Sequence, residues 1–254
     1  MIRVGTNLGA LDAARNLGLT QSRLSKNMAK LSSGLKINSA ADDPAGLVIS
    51  EQMRGQIGSL RQEIENTEHL INKYQTAGHA VGQMQDSLVQ LRSLAVAAAN
   101  EGFNDEAASA AYQTAADNLV NSFNKAAESA QFGSQKLLDG SQESVANVDQ
   151  LANIDLSSPD AAQAAIEKID QAADKLSKVQ GDIGSKVAHD LESTRDTLSV
   201  TLQNLTAAES TIRDTDYAME SAKMVRNMLL QSAGVAMLTH ANQSATSVLE
   251  LLNG

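Results

Sequence analysis

The sequence predicts an all-α protein of long antiparallel helices, packed as a coiled-coil or bundle rod in which the N- and C-terminal helices pair. Two observations support this fold class. Hydrophobic residues make up 42% of the chain but aromatic residues only 2%, with no Trp and two Pro. Apolar side chains recur at spacings of three and four residues over most of the length. Such a chain buries its apolar area in seams between long helices, and at most a short β-hairpin is expected near residues 133–157.

The first predicted helix carries a coiled-coil seam and a basic surface. The seam alternates spacings of four and three residues through Ala10, Ala14, Leu17, Gln21, Leu24, Met28, Leu31 and Leu35. The same arm carries Arg3, Arg15, Arg23, Lys26, Lys30 and Lys36 against Asp12 alone, although the whole chain has a net charge of −10. A basic arm of this kind could bind nucleic acid or an anionic membrane. Interleaved Leu and Met, and the lack of aromatic residues for base stacking, instead favour acidic neighbours in an assembly.

A break followed by a helix restart is predicted in residues 31–50. Gly34 supplies a turn, and Asp42 and Asp43 precede Pro44. Proline fits the first position of a helix, and an aspartate before it can cap the free backbone amides. The same capping interpretation applies to Asp214 and Asp216 near the other end of the chain.

The longest predicted helix runs from about residue 44 to residue 99. Its seam passes through Ile57, Leu60, Ile64, Thr67, Ile71, Tyr74, Gly78, Val81, Gln85, Leu88, Arg92, Ala95 and Ala99. Asn100, Glu101 and Gly102 end it, and Asn104 or Asp105 can cap a third helix that extends to about Ser129.

Residues 132–140 break the helical pattern and lead into an irregular stretch. A short hairpin built from residues 144–148 and 154–156 is expected there. Ser158 and Pro159 then open a fourth helix that extends to Ile212. Spacings of four and four around Val187 and Leu198 interrupt its seam as small stutters.

The last arm, residues 217–252, is apolar on two faces. One seam consists of Met224, Met228, Gln231, Val235, Leu238, Asn242, Ala245, Leu249 and Leu252, and the other includes Ala222, Val225, Leu229 and Ala236. One face can pack on the N-terminal arm, and the other needs a partner from outside the chain. Self-assembly is therefore predicted through Leu17, Leu24, Met28, Leu31, Leu35, Met224, Met228, Val235, Leu238, Leu249 and Leu252.

The sequence carries no recognisable catalytic, cofactor-binding or metal-binding pattern. His69, His79, His189 and His240 are scattered, and there is no Cys. Phosphate-binding glycine loops and the usual nucleophile motifs are also absent. No run reaches the roughly 18 apolar residues of a membrane span, and the N-terminus lacks the apolar core of a secretory signal. We expect neither an enzyme nor a membrane-inserted protein.

Four blocks, in order, resemble those of a bacterial flagellin. They read LSSGLKINSAADDPAGLVISEQMRGQIGSLRQ, then LVQLRSLAVAAAN, then FGSQKLLDG, and finally LTAAESTIRDTDYAMESAKMVRNMLLQSAGVAMLTHANQSATSVLELL. The resemblance implies a subunit that polymerises with itself into the extracellular flagellar filament for swimming motility. It implies inner-tube arms at residues 1–36 and 217–254, connecting spokes at 37–44 and 213–216, and an outer-tube helical domain at 45–212. The large outer domains of longer flagellins would insert between residues 140 and 158, and here they are missing.

The resemblance also implies partners. Family members use a flagellar export chaperone, a filament cap and hook-associated proteins, and they leave the cell without a cleaved signal. The block contacted by Toll-like receptor 5 reads Leu-Gln-Arg-Val-Arg-Glu-Leu in strong agonists. Here Arg92 and Leu94 match that block, whereas Val89, Gln90 and Ser93 replace its Gln, first Arg and Glu. Because a neutral amide cannot replace a bidentate guanidinium, weak activation of this receptor is expected.

Two alternatives share parts of the pattern. A hook–filament junction protein has similar terminal helices, but the full C-terminal block favours a flagellin. A cytoplasmic coiled-coil scaffold explains the heptads but not the two matched breaks and the four blocks.

Overall fold

The computed structural model describes residues 7–100, 106–141 and 144–253, and most of them are helical. The helices are α1 (Leu8–Ser33), α2 (Pro44–Ala98), α3 (Glu106–Ser129), α4 (Pro159–Ser185), α5 (Glu192–Arg213) and α6 (Tyr217–Asn253), with a π-helical segment at Lys186–Leu191 between α4 and α5. Two short strands, β1 (Gln131–Phe132) and β2 (Gln135–Lys136), form an antiparallel pair. The predicted all-α fold with paired terminal helices is confirmed, because α1 packs against α6.

Polar residues at helix ends set several of these boundaries. Asn7 Oδ1 accepts a hydrogen bond from Ala10 N at 3.0 Å at the start of α1. Ser158 Oγ accepts one from Ala161 N at 3.2 Å, and Pro159 is the first residue of α4. Both bonds satisfy backbone amides that have no partner within the helix. The expected caps of α3, Asn104 and Asp105, and the expected α2 end at Glu101 and Gly102 lie outside the described residues.

The chain forms two compact units. The first combines residues 1–59 with residues 202–254, and the second consists of residues 60–201. The core of the second unit is aliphatic, with Phe123 as its one buried aromatic residue among those described. It includes Val81, Met84, Leu88, Leu91, Leu137, Leu138, Ile154, Leu156, Ile169 and Leu176.

The hairpin expected from residues 144–148 and 154–156 is wrong. The strands instead lie at 131–132 and 135–136, and Gly133 makes the turn between them with a φ of 64°. Val145 N donates to Leu137 O at 2.7 Å, and Val148 N donates to Leu138 O at 3.1 Å. Further along, Gln113 accepts from Leu156 N and donates to Ile154 O. Backbone groups of this stretch are therefore satisfied by the preceding loop and by a side chain of α3 rather than by each other.

The fourth predicted helix is one helical run with a local change of pitch. Its π-helical residues coincide with the first of the two stutters, where seam residues Ile183, Val187 and Leu191 are spaced by four and four. A wider turn accommodates the extra residue, so that Ile183 and Leu191 are both buried. The second stutter, around Leu198, lies in regular α5.

Candidate assembly surface

The contact between α1 and α6 follows one heptad-spaced row on each helix. The row on α1 consists of the buried or half-buried residues Ala10, Ala13, Leu17, Thr20, Leu24, Asn27 and Leu31, and the row on α6 consists of Glu220, Met224, Asn227, Gln231, Gly234, Leu238 and Ala241. Both rows alternate spacings of three and four residues. This is the spacing of a coiled-coil seam, and we refer to these two rows as the terminal seam.

Four contacts fix the antiparallel register of the terminal seam. At one end Asn7 Nδ2 donates to Ala241 O at 2.9 Å, and at the other the Tyr217 hydroxyl donates to Leu31 O at 2.5 Å. Between them Gln231 Nε2 donates to Gln21 Oε1 at 2.5 Å. Leu17 packs over Gly234, where an added Cβ would come within 3.2 Å of Leu17 Cδ1. The small residue lets the two helices approach closely at this point.

Two polar residues are buried in the terminal seam. Asn27 and Glu220 are both less than one-tenth exposed. In the amide orientation that satisfies hydrogen bonding, the Asn27 nitrogen donates to Glu220 Oε1 at 3.3 Å and the oxygen accepts from Asn227 Nδ2 at 3.3 Å. Lys223 Nζ also binds Glu220 Oε2 at 3.1 Å. A buried polar group that is paired in only one alignment specifies the register of two helices.

The terminal seam differs from the predicted one at alternate positions. Leu17, Leu24, Leu31, Met224 and Leu238 lie in it as expected. Met28, Met228 and Val235 do not, and they are 49%, 47% and 50% exposed. Each lies one residue beyond the actual seam position, Asn27, Asn227 or Gly234. The prediction followed the more apolar stripe, whereas the helices pair along the stripe that offers a glycine and matched polar side chains.

Other predicted assembly residues fall at the ends of the helices. Leu35 follows α1, is half-buried and pairs with Asp214 in an isolated β-bridge. The side chains of Leu249 and Leu252 lie outside the described residues. Their role in assembly, like that of the exposed residues above, stays a prediction.

Sequence reasoning missed the polar and small members of the terminal seam. These are Ala13, Thr20, Asn27, Glu220, Asn227, Gly234 and Ala241. A search for apolar residues alone passes over them. Polar residues at coiled-coil spacing in both arms are the signal that could have pointed to this stripe, although several alignments of the two arms satisfy it.

Large apolar side chains remain exposed on both terminal helices, outside the seam. We call this set the outer apolar surface: Leu8, Leu11, Leu19 and Met28 on α1, and Met219, Val225, Met228, Leu229, Leu230, Val235 and Met237 on α6. On α6 these residues occur on several sides of the helix, because they do not follow a single three-and-four spacing. The surface is therefore broad enough to contact more than one neighbouring helix.

The two connecting stretches pair with each other. Gly34 ends α1 with a φ of 74°, a left-handed conformation that favours glycine. Beyond it Lys36 N donates to Arg213 O at 2.6 Å, and Thr215 N donates to Gly34 O at 2.9 Å. The chain leaving α1 and the chain entering α6 are thereby held together by backbone hydrogen bonds.

The restart of α2 depends on two aspartates. Asp42 Oδ2 accepts from Asn38 N at 3.2 Å and from Ser39 N at 3.1 Å. The hydrogen bond from the Asn38 backbone is the main cause that holds the pKa of Asp42 below its usual value, and the bonds from Ser39 add to it. Asp43 Oδ1 accepts from Gly46 N at 2.9 Å, and α2 begins at Pro44. Both carboxylates therefore accept hydrogen bonds from nearby backbone amides, as the capping interpretation predicts.

An ion pair joins the first part of α2 to the end of α5. Arg213 Nη1 lies 2.6 Å from Glu51 Oε1, and Arg54 Nη1 lies 3.0 Å from the same oxygen. The hydrogen bond from Arg213 lowers the pKa of Glu51, with a smaller effect from Arg54. Both sides of the connecting region are thus linked by a charged contact as well as by backbone bonds.

The positions that match the receptor-contacting block lie on α2 within residues 60–201. Arg92 donates through Nε to Asp170 Oδ1 at 2.6 Å and through Nη2 to Asp170 Oδ2 at 3.3 Å. This bidentate bond lowers the pKa of Asp170 and raises that of Arg92. Val89 and Gln90 are exposed, and Leu94 is half-buried. The one arginine that matches the block is therefore already paired within the chain.

Among residues 7–100, 106–141 and 144–253, no group of three His, Cys, Asp or Glu side chains is arranged to hold a metal ion. Over the same residues, none of the helices combines the length and the apolar character that crossing a membrane requires.

Comparison with known proteins gives one consistent result. Family models of the bacterial flagellin N-terminal and C-terminal helical regions match residues 4–143 and 166–252. The chain is 38% identical to a flagellin of Halalkalibacterium halodurans, over 98% of this chain and 99% of the relative. It is 35% identical to the flagellar filament 33 kDa core protein of Treponema phagedenis, over 98% and 99%, and 32% identical to a flagellin of Bacillus subtilis, over 99% and 100%. The chain therefore belongs to the bacterial flagellin family.

Proposed function

We propose that this chain polymerises with copies of itself into an extracellular flagellar filament for swimming motility, and that the outer apolar surface forms the contacts between copies. The family is one of structural filament proteins, and the relatives span nearly the full length of this chain. The observation that carries the assembly proposal is the outer apolar surface itself, which the pairing of α1 with α6 leaves exposed to water.

Most of the outer apolar surface lies on α6. Pairing with α1 covers one row of α6, yet residues such as Val225, Leu229 and Met237 remain about half exposed or more. Exposed large apolar side chains mark an interaction surface, and because these are about half exposed, each gains roughly 1 to 2 kcal/mol when its exposed part is buried. Association of terminal helices from neighbouring copies provides that burial. A head-to-tail contact between two different patches of neighbouring copies generates a helical polymer when its rotation does not close into a ring.

The proposal assigns the parts of the chain as the resemblance implies. Residues 1–36 and 217–254 form the inner tube, 37–44 and 213–216 form the spokes, and 45–212 form the outer-tube domain. The paired backbone of residues 34–36 and 213–215 supports a connection in which both strands cross together. The Glu51–Arg213 ion pair braces the same region.

A charge placed in the outer apolar surface tests the proposal. Leu229 is 67% exposed and lies outside the terminal seam, so Leu229→Glu should leave the fold of the monomer intact. In a filament the carboxylate would be buried without a partner, and assembly should fail. Leu229→Met is the matched control, because it conserves volume and apolar character. Electron microscopy and sedimentation report filaments, and circular dichroism reports helix content.

Filament formation by the wild type and the two Leu229 variants decides between the possible assembly contacts. Long filaments from the wild-type chain and from Leu229→Met, with none from Leu229→Glu, support the proposal. Filaments formed equally well by Leu229→Glu would exclude this surface as the contact. A wild-type chain that forms only short caps on hook structures would instead indicate the hook–filament junction protein, which the filament-protein relatives do not favour.

Further partners are proposed on the resemblance. A flagellar export chaperone would cover the apolar residues of α6 before secretion, and the filament cap and hook-associated proteins would contact the same terminal helices at the two filament ends. We also propose weak activation of Toll-like receptor 5. Gln90 supplies a neutral amide where strong agonists carry a guanidinium, and Arg92 is engaged by Asp170.

A further inference from the structure

The methionines of this chain are concentrated on its terminal helices. Of the eight in the sequence, Met28 lies in α1, and Met219, Met224, Met228 and Met237 lie in α6. Met28, Met219, Met228 and Met237 are between 47% and 63% exposed and belong to the outer apolar surface. Met224 is half-buried in the terminal seam. In contrast, Met84 is fully buried in the core of the second unit.

Exposure decides which of these thioethers can react with an oxidant in water. Hydrogen peroxide transfers one oxygen atom to the sulfur of an accessible methionine. The S–O bond forms as the O–O bond breaks, the sulfur is oxidised by two electrons, and water leaves. The product is a sulfoxide, which is polar and accepts hydrogen bonds. A flexible apolar side chain is thereby converted into a polar one without any change in the backbone.

We propose that Met28, Met219, Met228 and Met237 form a modification site at which peroxide oxidation of the free subunit blocks filament assembly. The inference rests on the proposed function, because these side chains become buried between copies only in the polymer. A sulfoxide oxygen on the outer apolar surface is solvated in the monomer and costs little there. Between packed helices it would lose water without gaining a donor, which opposes association.

Oxidation at this site depends on whether the subunit is free or assembled. In the free subunit all four methionine side chains are about half exposed, and in the proposed filament they would be covered. Oxidation therefore acts on subunits before they assemble, and assembly protects them afterwards. Methionine sulfoxide reductases supplied with a dithiol remove the oxygen as water while the dithiol is oxidised to a disulfide, which restores the thioether and the apolar surface, so the block is reversible.

The test compares the critical concentration for polymerisation before and after treatment with hydrogen peroxide. Peptide mass mapping of treated monomer should show an added oxygen at the four exposed methionines and none at Met84. The critical concentration should rise by about tenfold or more, the consequence of one or more unpaired polar groups in each contact. Treatment with methionine sulfoxide reductases should return it to the starting value. Filaments exposed to the same peroxide should show little oxidation at these positions.

Variants locate the effect. A chain with all four exposed methionines replaced by leucine is compared with its own untreated sample, and peroxide should change its critical concentration by less than about twofold, since leucine has no sulfur to oxidise. Met53→Leu, which removes a half-buried methionine of α2 outside the outer apolar surface, should remain as sensitive as the wild type. If the fourfold variant does not polymerise, reversal by the reductases in the wild type remains the deciding measurement.

Three results would overturn the proposal. If wild-type chain that carries sulfoxides at the four positions polymerises normally, oxidation does not block assembly. Loss of assembly that the reductases do not reverse assigns the damage to another reaction. Equal sensitivity of the fourfold variant assigns it to another methionine. Failure of untreated wild-type chain to polymerise would instead refute the proposed function itself, so the two failures are distinguishable.

Discussion

Gly46→Ala should destabilise the protein, although a glycine-to-alanine change inside a helix normally does the opposite. Gly46 lies in the first turn of α2, two residues after Pro44, where the connecting stretch ends and the helix begins. A Cβ at this position would lie 2.6 Å from Asp43 Oδ2 and 2.7 Å from Ile37 Cδ1. Real Cβ atoms do not approach other atoms so closely, so both neighbours must move.

Three contributions set the expected change in the free energy of unfolding of Gly46→Ala. Alanine gains about 1 kcal/mol over glycine in helix propensity. Displacing Asp43 loses the cap on Gly46 N, which is worth about 1 kcal/mol. Moving Ile37, which is only 2% exposed, overpacks its site at a cost of about 1 to 3 kcal/mol. The sum is a loss of about 1 to 3 kcal/mol in the free energy of unfolding.

The same helix provides matched controls. Nothing lies within 4 Å of a Cβ built at Gly55 or at Gly58, and both residues are exposed. Gly55→Ala and Gly58→Ala should therefore each stabilise the protein by about 0.5 to 1 kcal/mol. All three glycines belong to the unit formed by residues 1–59 and 202–254, so the comparison is made within one unit.

Urea denaturation followed by circular dichroism measures all three variants. Opposite signs for Gly46→Ala and the two controls are the expected result. Combining Gly46→Ala with Ile37→Val removes one of the two clashing atoms, so the pair should be less destabilising than the sum of its members by at least about 0.5 kcal/mol. If Gly46→Ala stabilises the protein as much as Gly55→Ala does, the reasoning about close approach is refuted.

Three further changes test other contacts. Asn27→Ala should reduce the free energy of unfolding by about 1 to 3 kcal/mol, because Glu220 loses a buried partner; equal urea midpoints would contradict this. Asp42→Asn should be less stable than wild type at neutral pH. The folded pKa of Asp42 is lowered, so its contribution is present above the ordinary value of 3.8 and disappears as the pH falls through the folded pKa. Denaturation midpoints of the two proteins should therefore converge as the pH falls below the folded pKa of Asp42, and a constant difference would count against the assignment. Gln90→Arg should increase activation of Toll-like receptor 5 in a reporter-cell assay of purified monomer, with Ser87→Arg on the same helix as the control, and an unchanged response would show that position 90 does not limit recognition.

Local chemistry was sufficient for most helix boundaries. Proline at the first position with an aspartate or serine before it predicted the starts of α2 and α4, because these residues satisfy free amides through contacts only a few residues away. The four-and-four spacing at Val187 likewise coincides with the π-helical turn. Such features depend on near neighbours in the sequence, and the sequence shows near neighbours directly.

Long-range pairing was not predictable in the same way. Residues 144–156 were expected to form a hairpin, but their backbone groups pair with Leu137, Leu138 and the Gln113 side chain. A short stretch without strong alternation has several partners of similar energy, and which one it takes depends on what else packs beside it.

The sequence alone determined the all-α class, the apolar arms and the family, because period, composition and motif order are properties of the chain itself. Tertiary structure decided which face of α6 meets α1. Two adjacent stripes on a helix differ by one residue in sequence. The stripe through Met228 and Val235 has more apolar residues, so the sequence predicts it as the seam. Only the opposing helix, 210 residues away at the Gln21–Gln231 bond, selects the stripe with Gly234 and the Asn27–Glu220 pair. Close approach and paired polar groups outweigh apolar content there, and the apolar stripe remains on the outside of the subunit.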